Sequence, residues 1–162
     1  MRNIVCVAIL GLAIWCQAEV ITGRVVSVTD GDTVTVLDAA KVQHKVRLAG
    51  IDAPEKSQAF GQRSRESLVE LVAGKTVIVE TYKKDRYGRS IGKVLVNGRD
   101  MNFEQIRRGL AWFYRQYEVE LSPDDRQIYD RAESEAKDYK KGLWSDRNPV
   151  PPWEFRRRAG AR

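Results

Sequence analysis

Alternating apolar and polar residues in the first part of the chain predict three strands. Residues 20–28 (VITGRVVSV) are rich in β-branched side chains, residues 33–37 (TVTVL) alternate strictly, and residues 45–50 (KVRLAG) continue the pattern. The turn signals TDGD and DAAK separate the three runs. Short strands that follow one another through tight turns form a meander, which favours a small barrel or an open antiparallel sheet.

The hydrophobic pattern then changes to that of a helix. Apolar residues fall at helical spacing over residues 57–72, with glutamine, arginine and glutamate between them, and Gly74 follows as a stop. Ser122 before Pro123 has the pattern of a helix N-cap. The same criteria predict two more strands and two more helices: strands over residues 75–82 and 90–96, and helices over residues 101–108 and 123–141.

The order of these elements is three strands, a helix, two strands and two helices, which matches an OB-type barrel. We therefore predict an α+β fold, mainly β, built as a five-stranded OB-fold barrel with three helices. The length of 162 residues favours one domain, which we place at residues 19–162. It includes a basic tail from about residue 148 that contains Trp153. The sequence leaves two alternatives for this tail: it docks onto the barrel, or its end is disordered.

The first eighteen residues stand apart from this pattern. Arg2 precedes a charge-free apolar run over residues 4–15, and the small residues Cys16 and Ala18 follow at the spacing of a cleavage site. This predicts a signal peptide over residues 1–18, cleaved near Ala18, and a secreted or periplasmic protein. The alternative is an uncleaved N-terminal membrane anchor, although the run is shorter than the roughly 20 residues that span a bilayer.

Charge narrows the class of partner. The formal net charge is +6, from 28 Lys and Arg against 22 Asp and Glu, and the sequence pI is about 9.4. Such an excess indicates a polyanionic partner, either nucleic acid or an anionic membrane surface. The chain has one histidine, His44, which excludes a His-rich zinc site.

Charged residues gather where the second predicted strand begins and the third ends. Within VRLAGIDAPE, Arg47 faces away from the core if its two neighbours face it, and Asp52 and Glu55 follow the strand. Asp32 enters the neighbouring strand, so the meander can bring it beside Asp52. Two converging carboxylates repel unless a hard cation lies between them. Oxygen ligands without His or Cys select Ca²⁺ or Mg²⁺.

A second charged loop, DRYGR, supplies Arg86 and Arg89. The guanidinium group binds phosphate in a bidentate manner and is always charged. A divalent cation, a free carboxylate and two arginines are the groups that in-line attack of water on a phosphodiester requires. Each residue alone also has an ordinary interpretation as a turn former or a solvated charge. Together, they fall on loops at one predicted side of one barrel.

Four stretches resemble the staphylococcal (micrococcal) nuclease family, in the order and spacing of that family. They are VTDGDTVTV, VRLAGIDAPE, DRYGRSIGKVLVNGRDMN and RRGLAWFY. The resemblance covers about residues 20–144. It implies an OB barrel with three helices, and an enzyme that uses Ca²⁺ to hydrolyse DNA and RNA to 3′-phosphate and 5′-hydroxyl ends.

The resemblance also implies a metal site. Asp32 and Asp52 match the two calcium carboxylates of the family. Ala53 stands where the best-known members have a threonine, and its main-chain carbonyl can still bind the one Ca²⁺ ion. The expected cofactor is therefore a single calcium ion held by two side chains and one backbone oxygen.

Residue by residue, the resemblance implies the catalytic and substrate-binding groups as well. Arg47 and Arg89 match the two phosphate-binding arginines, and Glu55 matches the glutamate assigned to activate the attacking water. Further residues fall near positions that hold the rest of the nucleotide, the last two as alternatives for one position: Arg86, Tyr87, Tyr114 and Tyr117.

The predicted function is a calcium-dependent, secreted or periplasmic nuclease that acts on DNA and RNA without sequence preference and is a monomer. The alternative is a non-catalytic nucleic-acid-binding module of the same fold. The complete set of predicted acids and arginines favours the enzyme. A third possibility, a basic OB protein that coats single strands, requires aromatic stacking platforms on the strands. The aromatic residues cluster instead at Tyr82, Tyr87 and residues 112–117.

Overall fold

Five strands close into a barrel in the structure, a computed structural model that describes residues 19–160. The strands in chain order are β1 (Val20–Val28), β2 (Thr33–Asp38), β3 (Gln43–Leu48), β4 (Ile51–Asp52), β5 (Thr76–Lys84), β6 (Ser90–Val96), β7 (Arg99–Asp100) and β8 (Trp112–Phe113). Neighbours in the order β3-β2-β1-β5-β6 pair antiparallel, and a parallel pairing of β3 with β6 closes the barrel. The short β4 and β8 form a separate ribbon beside it.

Residues 19–160 contain four α-helices. They are α1 (Gly61–Val72), α2 (Met101–Arg107), α3 (Pro123–Asp138) and α4 (Pro152–Gly160). Two 3₁₀ segments, Arg115–Glu120 and Gly142–Ser145, flank α3. Ser122 caps α3 as predicted, since its hydroxyl accepts a hydrogen bond from the Asp125 N–H at 3.1 Å. None of the helices within residues 19–160 is long and apolar enough to cross a membrane.

The alternation of β-branched residues in the strands produces the core. Val34 and Val36 on β2 and Val46 on β3 face inward and are fully buried, while the residues between them face the other side. Leu68 on α1 and Ile106 on α2 cover this core and are also fully buried. Each such side chain contributes about 1.5–3 kcal/mol relative to an exposed one. The core therefore holds the strand ends rigidly in register.

The predicted fold class, an α+β five-stranded OB-fold barrel, is confirmed, and α4 is a helix beyond the three that were predicted. The third predicted strand ends earlier than expected, because Gly50 adopts a φ of 70° and turns the chain into β4. The first helix begins at Gly61 rather than residue 57. A Cβ atom on Gly61 would lie 1.9 Å from the Glu55 carbonyl oxygen, so only glycine permits this close approach. The predicted signal peptide lies outside the described residues.

Candidate active site

Residues from β2, β3 and β4 meet at one end of the barrel. Arg47 on β3 pairs across the sheet with Thr33 on β2, so Asp32, directly before β2, lies beside the end of β3. The backbone N–H of Leu48 donates to the Asp32 carbonyl at 2.8 Å. After the tight turn that follows β3, β4 brings Asp52 to the same place. The close approach of Asp32 and Asp52, expected from the meander, is therefore present.

Arg47 bridges these two carboxylates. Its Nη2 atom lies 3.0 Å from Asp52 Oδ1 and 3.6 Å from Asp32 Oδ2. The side chain of Arg47 is 14% exposed and that of Asp52 only 1%. Salt screens such sheltered pairs much less than surface pairs. Removal of one partner would leave a buried charge without compensation, so the three groups must be considered as one unit.

The carboxylate of Asp32 has a fixed orientation. The Thr33 hydroxyl donates to Oδ1 at 2.9 Å, and the backbone N–H of Ala53 donates to Oδ2 at 3.0 Å. Behind this turn, the buried side chain of Gln105 on α2 donates to the Gly31 carbonyl at 2.8 Å. The barrel and α2 together set the direction in which this acid points.

The acids around Arg47 influence one another's ionisation. Burial and the charge of Asp32 raise the pKa of Asp30 to about 6. Burial also raises the pKa of Asp52; the hydrogen bond from Arg156 on α4 opposes this rise, and the charge of Asp32 adds to it. Asp30 and Asp52 therefore hold a proton more readily in the folded chain than in water, chiefly because both are buried.

A hard divalent cation fits the chemistry of this donor set. Asp32 and Asp52 offer carboxylate oxygens on either side of one arginine nitrogen, and the backbone of Ala53 adjoins both. No sulfur or imidazole ligand competes for the site among its lining residues. Within residues 19–160, no group of three or more His, Cys, Asp and Glu side chains is arranged to hold a metal. A cation here would therefore depend on two carboxylates, backbone carbonyl oxygen and water.

Glu55 lies at the rim of the same site. The loop around it is fixed by the Gln58 N–H, which donates to the Glu55 carbonyl at 2.8 Å, and by the Glu55 N–H, which donates to Gln58 Oε1 at 3.2 Å. Its side chain is 39% exposed and accepts a hydrogen bond from Arg156 Nη1 at 2.7 Å. The loop thus holds the backbone firmly while the carboxylate reaches the solvent side of the site.

A tight turn presents Arg89. Asp85 organises this turn: its Oδ1 accepts hydrogen bonds from the N–H groups of Tyr87 and Arg89, both at 2.9 Å, and its Oδ2 accepts one from Arg89 Nε at 2.7 Å. The guanidinium carbons of Arg86 and Arg89 lie 4.8 and 5.7 Å from the centre of the exposed Tyr87 ring. This arrangement sets two cations and one aromatic face at the edge of the site.

The two tyrosines between β8 and α3 differ in what covers them. Tyr114 and Tyr117 contact each other edge to face, with ring centres 5.0 Å apart. Trp153 on α4 stacks on Tyr114 with a centre distance of 5.1 Å and an interplanar angle of 8°. Tyr117 is 40% exposed, and Lys83 Nζ lies 5.6 Å from its ring centre. Of the two alternatives, Tyr117 therefore presents more aromatic surface to a ligand.

The predicted site residues all line one open cavity of about 680 Å³. Every residue predicted as a catalytic, metal-binding or substrate-binding group lines it: Asp32, Arg47, Asp52, Ala53, Glu55, Arg86, Tyr87, Arg89, Tyr114 and Tyr117. The structure thus brings together groups that are up to 85 positions apart in the sequence. Their individual roles stay predictions.

Sequence reasoning missed other residues at this cavity. Asp30 was interpreted only as a turn former, and Asp85 was not singled out. Arg156 lies in the predicted basic tail, in which no residue was assigned to the site, although it contacts both Asp52 and Glu55. The signal that could have revealed it is the three-residue spacing of Trp153 and Arg156, which puts an aromatic and a cationic side chain on one helix face.

Comparison with known proteins identifies the family of the chain. The family model described as "Staphylococcal nuclease homologue" matches residues 45–146. The chain belongs to the staphylococcal nuclease family. The predicted family is confirmed, and with it the predicted class of enzyme, a hydrolase of the nuclease type. The matched range contains most of the candidate site but ends before α4.

Relatives in this family cover most of the chain. It is 45% identical over 139 residues to an uncharacterized endonuclease of Escherichia coli O157:H7, which spans 85% of this chain and 86% of the relative. It is 39% identical over 160 residues to a micrococcal nuclease of Shigella flexneri, which spans 93% and 87%. It is also 37% identical over 113 residues to the staphylococcal-like nuclease CAN1 of Arabidopsis thaliana, which spans 70% and 33%.

Proposed function

We propose that this nuclease hydrolyses phosphodiester bonds in DNA and RNA, requires Ca²⁺, and leaves 3′-phosphate and 5′-hydroxyl ends. The observation that carries the proposal is the position of Arg47, whose Nη2 atom lies 3.0 Å from Asp52 Oδ1 and 3.6 Å from Asp32 Oδ2. Glu55 and Arg89 line the same cavity. A phosphodiester in this cavity would meet fixed cations, the partly exposed carboxylate of Glu55 and an oxygen-only cation site within one open space.

The proposed reaction assigns one task to each charged group. Glu55 accepts a proton as water attacks phosphorus, and the bond from phosphorus to the 5′ oxygen breaks. The 5′ oxygen leaves as a hydroxyl group with a proton from solvent, and the phosphate stays on the 3′ oxygen. Arg47 and Arg89 oppose the negative charge that grows on the phosphoryl oxygens. Arg47 suits this task because β3 holds it rigidly.

Asp32, Asp52 and the carbonyl of Ala53 would hold the calcium ion. When bound, the ion supplies Lewis-acid polarisation of a phosphoryl oxygen. The chain itself contributes the orientation of these ligands through the hydrogen bonds from Thr33 and Ala53 to Asp32.

The proposed substrates are recognised by charge and stacking rather than by base sequence. The groove is lined by several cations, namely Arg47, Lys83, Lys84, Arg86, Arg89 and Arg156. Contacts of this kind bind the phosphate backbone and carry no sequence information. Exposed Tyr87 and Tyr117 offer faces on which unpaired bases can stack. We propose that the protein acts as a monomer on both nucleic acids.

We further propose that the protein is exported. The support is the pattern of residues 4–15 followed by Ala18, which resembles a cleaved signal peptide. Protein recovered from a secreting host is expected to begin at Glu19. An intact Met1 on membrane-bound active enzyme would contradict cleavage and favour the alternative of an N-terminal anchor.

The test of the enzyme is digestion of plasmid DNA and of RNA by the purified chain from Glu19, with Ca²⁺ and with excess chelator. Cleavage is expected with Ca²⁺ only. The product ends should accept labelled phosphate from a polynucleotide kinase without prior phosphatase treatment, because they carry 5′-hydroxyl groups. Full activity in chelator would contradict the metal assignment. Binding without cleavage under all conditions would favour the non-catalytic module.

A further inference from the structure

The C-terminal helix α4 inserts an arginine among the candidate catalytic acids. Arg156 Nη2 donates to Asp52 Oδ2 at 2.7 Å, and its Nη1 donates to Glu55 Oε1 at 2.7 Å and to Asp52 Oδ1 at 3.3 Å. The side chain is 43% exposed and lines the groove. Arg156 is therefore a rim cation of the site, beyond the range that the family model matches.

An aromatic anchor fixes this helix. Trp153 stacks on Tyr114 and meets Trp112 edge to face with ring centres 5.6 Å apart. Gln58 Nε2 donates to the Val150 carbonyl at 2.5 Å, which ties the chain before α4 to the loop that carries the candidate base. Because Trp153 and Arg156 are three residues apart, the anchor aims the guanidinium at the site.

The charges of the site indicate why an arginine is placed here. Asp52 already has Arg47 at 3.0 Å, a partner that is almost buried. Arg156 is not needed to pair this acid alone; its fork reaches across Asp52 to Glu55 and keeps part of its surface open to the groove. A guanidinium fork binds two acceptor oxygens at once, and two oxygens of a tetrahedral phosphate can take the place of the two oxygens of a carboxylate.

We propose that Arg156 is a third phosphate-binding arginine of this active site and that Trp153 is its positioning residue. When a nucleic acid enters the groove, the guanidinium exchanges its hydrogen bond with Glu55 for the oxygens of a substrate phosphate. This exchange releases the Glu55 carboxylate for its task. Binding of substrate and exposure of the base are thereby coupled through one side chain. The inference rests on the proposed nuclease function.

The test measures binding apart from cleavage. A fluorescein-labelled single-stranded DNA oligonucleotide is titrated by anisotropy in chelator at several salt concentrations, with the wild-type chain and with Arg156→Gln. The variant should bind about tenfold more weakly. Its plot of log K against log salt should be shallower by about 0.7, the value for one lost phosphate contact on a single strand. A merely structural residue would not change that slope.

Three further variants sharpen the assignment. Arg157→Gln removes the same charge one position along the helix and should change the affinity less than Arg156→Gln. Arg156→Lys keeps the charge but not the fork, so it should retain most of the salt slope and recover only part of the affinity. Trp153→Ala keeps Arg156 but loses its anchor, and should reduce the salt slope as Arg156→Gln does. Thermal unfolding of each variant verifies that the barrel stays folded.

Two results would overturn the proposal. One is equal loss of affinity in the Arg156 and Arg157 variants, which would mean that the tail acts by diffuse charge. The other is binding by Arg156→Gln that is not weaker: unchanged affinity would mean that the arginine contacts no phosphate, and tighter binding would mean that it competes with substrate. Because these measurements need no turnover, they stay informative if the wild-type chain fails to cleave. With Ca²⁺, steady-state kinetics should show a raised KM and a nearly unchanged kcat for Arg156→Gln.

Discussion

The candidate active site consists of two halves that differ in how the protein supports them. The strand half comprises Asp32, Arg47 and Asp52, whose side chains are 9%, 14% and 1% exposed. The rim half comprises Glu55, Arg89 and Arg156, whose side chains are 39%, 25% and 43% exposed. Barrel register positions the strand half, whereas local turns and a docked helix position the rim half.

This difference predicts whether a substitution changes stability and activity together or activity alone. In the strand half, each charge is a buried partner of the others, so a substitution there affects folding and activity at once. In the rim half, water replaces a lost partner at little cost to stability, because exposed ion pairs contribute only about 0–1 kcal/mol. Activity can therefore be removed from the rim without loss of the fold.

The largest effect is expected at Glu55. The change Glu55→Gln keeps the shape of the side chain but removes its basicity, so kcat should fall by roughly 10²–10⁴. The midpoint of thermal unfolding should stay near that of the wild type. The measurement is single-turnover cleavage of a labelled oligonucleotide at fixed salt. Glu120→Gln, an acid of the same cavity that pairs with Lys83, is the control and should keep most activity. Near-normal turnover of Glu55→Gln would remove it from the role of base.

Substitution of Arg47 in the strand half and of Arg89 in the rim half tests the difference between the halves more directly. Arg47→Lys and Arg89→Lys should each lower kcat by about 10²–10³, because lysine keeps the charge but loses the fork. Only Arg47→Lys should also lower the free energy of unfolding measurably, since it disturbs the pairing of buried Asp52. Urea unfolding of both variants, beside Arg157→Lys as a surface control, checks this. Equal stability of the two site variants would contradict the division into halves.

The division into a strand half and a rim half also explains which parts of the fold and of the site the amino-acid sequence could predict. Alternation of apolar residues and turn signals identified the five barrel strands, and the barrel brings Asp32, Arg47 and Asp52 together. The sequence also indicated the local turns DGD and DRYGR. It did not indicate that Asp85 organises the second of these turns. Arg156 was missed because its position depends on the docking of Trp153 against residues of β8 and the following segment. In this nine-residue helix, the three-residue spacing of Trp153 and Arg156 indicates a shared face but not the residues against which that face packs.

A smaller effect is expected on the stabilisation of the folded chain by calcium, which depends on the strand half. In wild type, calcium at about 100 times its Kd should stabilise the folded chain by about 2.7 kcal/mol. Asp32→Asn keeps the acceptor that the Ala53 N–H uses but removes a ligand charge, so this calcium-dependent stabilisation should largely disappear. Differential scanning calorimetry with and without Ca²⁺ measures it. Asp130→Asn, on the exposed face of α3, should respond to calcium as the wild type does.

The last expected effect concerns Asp30 and the dependence of stability on pH. Burial and the charge of Asp32 raise its folded-state pKa to about 6, above the ordinary value of 3.8. Because the folded state holds this proton more tightly than the unfolded state, the group favours folding fully at low pH. That contribution is lost as pH rises from about 4 through about 6. Asp30→Asn should therefore remove a decline in unfolding free energy over this window.

Asp38→Asn supplies a control of opposite sign for this pH experiment. The hydrogen bond from His44 lowers the pKa of Asp38, so its contribution is present above the unfolded-state pKa and is lost as pH falls through the folded-state value. Urea unfolding from pH 3 to 7 in chelator should therefore show that Asp30→Asn gains stability relative to wild type as pH rises. Asp38→Asn should lose stability relative to wild type over the same change. Parallel curves for wild type and Asp30→Asn would mean that Asp30 ionises in the folded chain as freely as in solvent, and that neither burial nor the charge of Asp32 disfavours its anion.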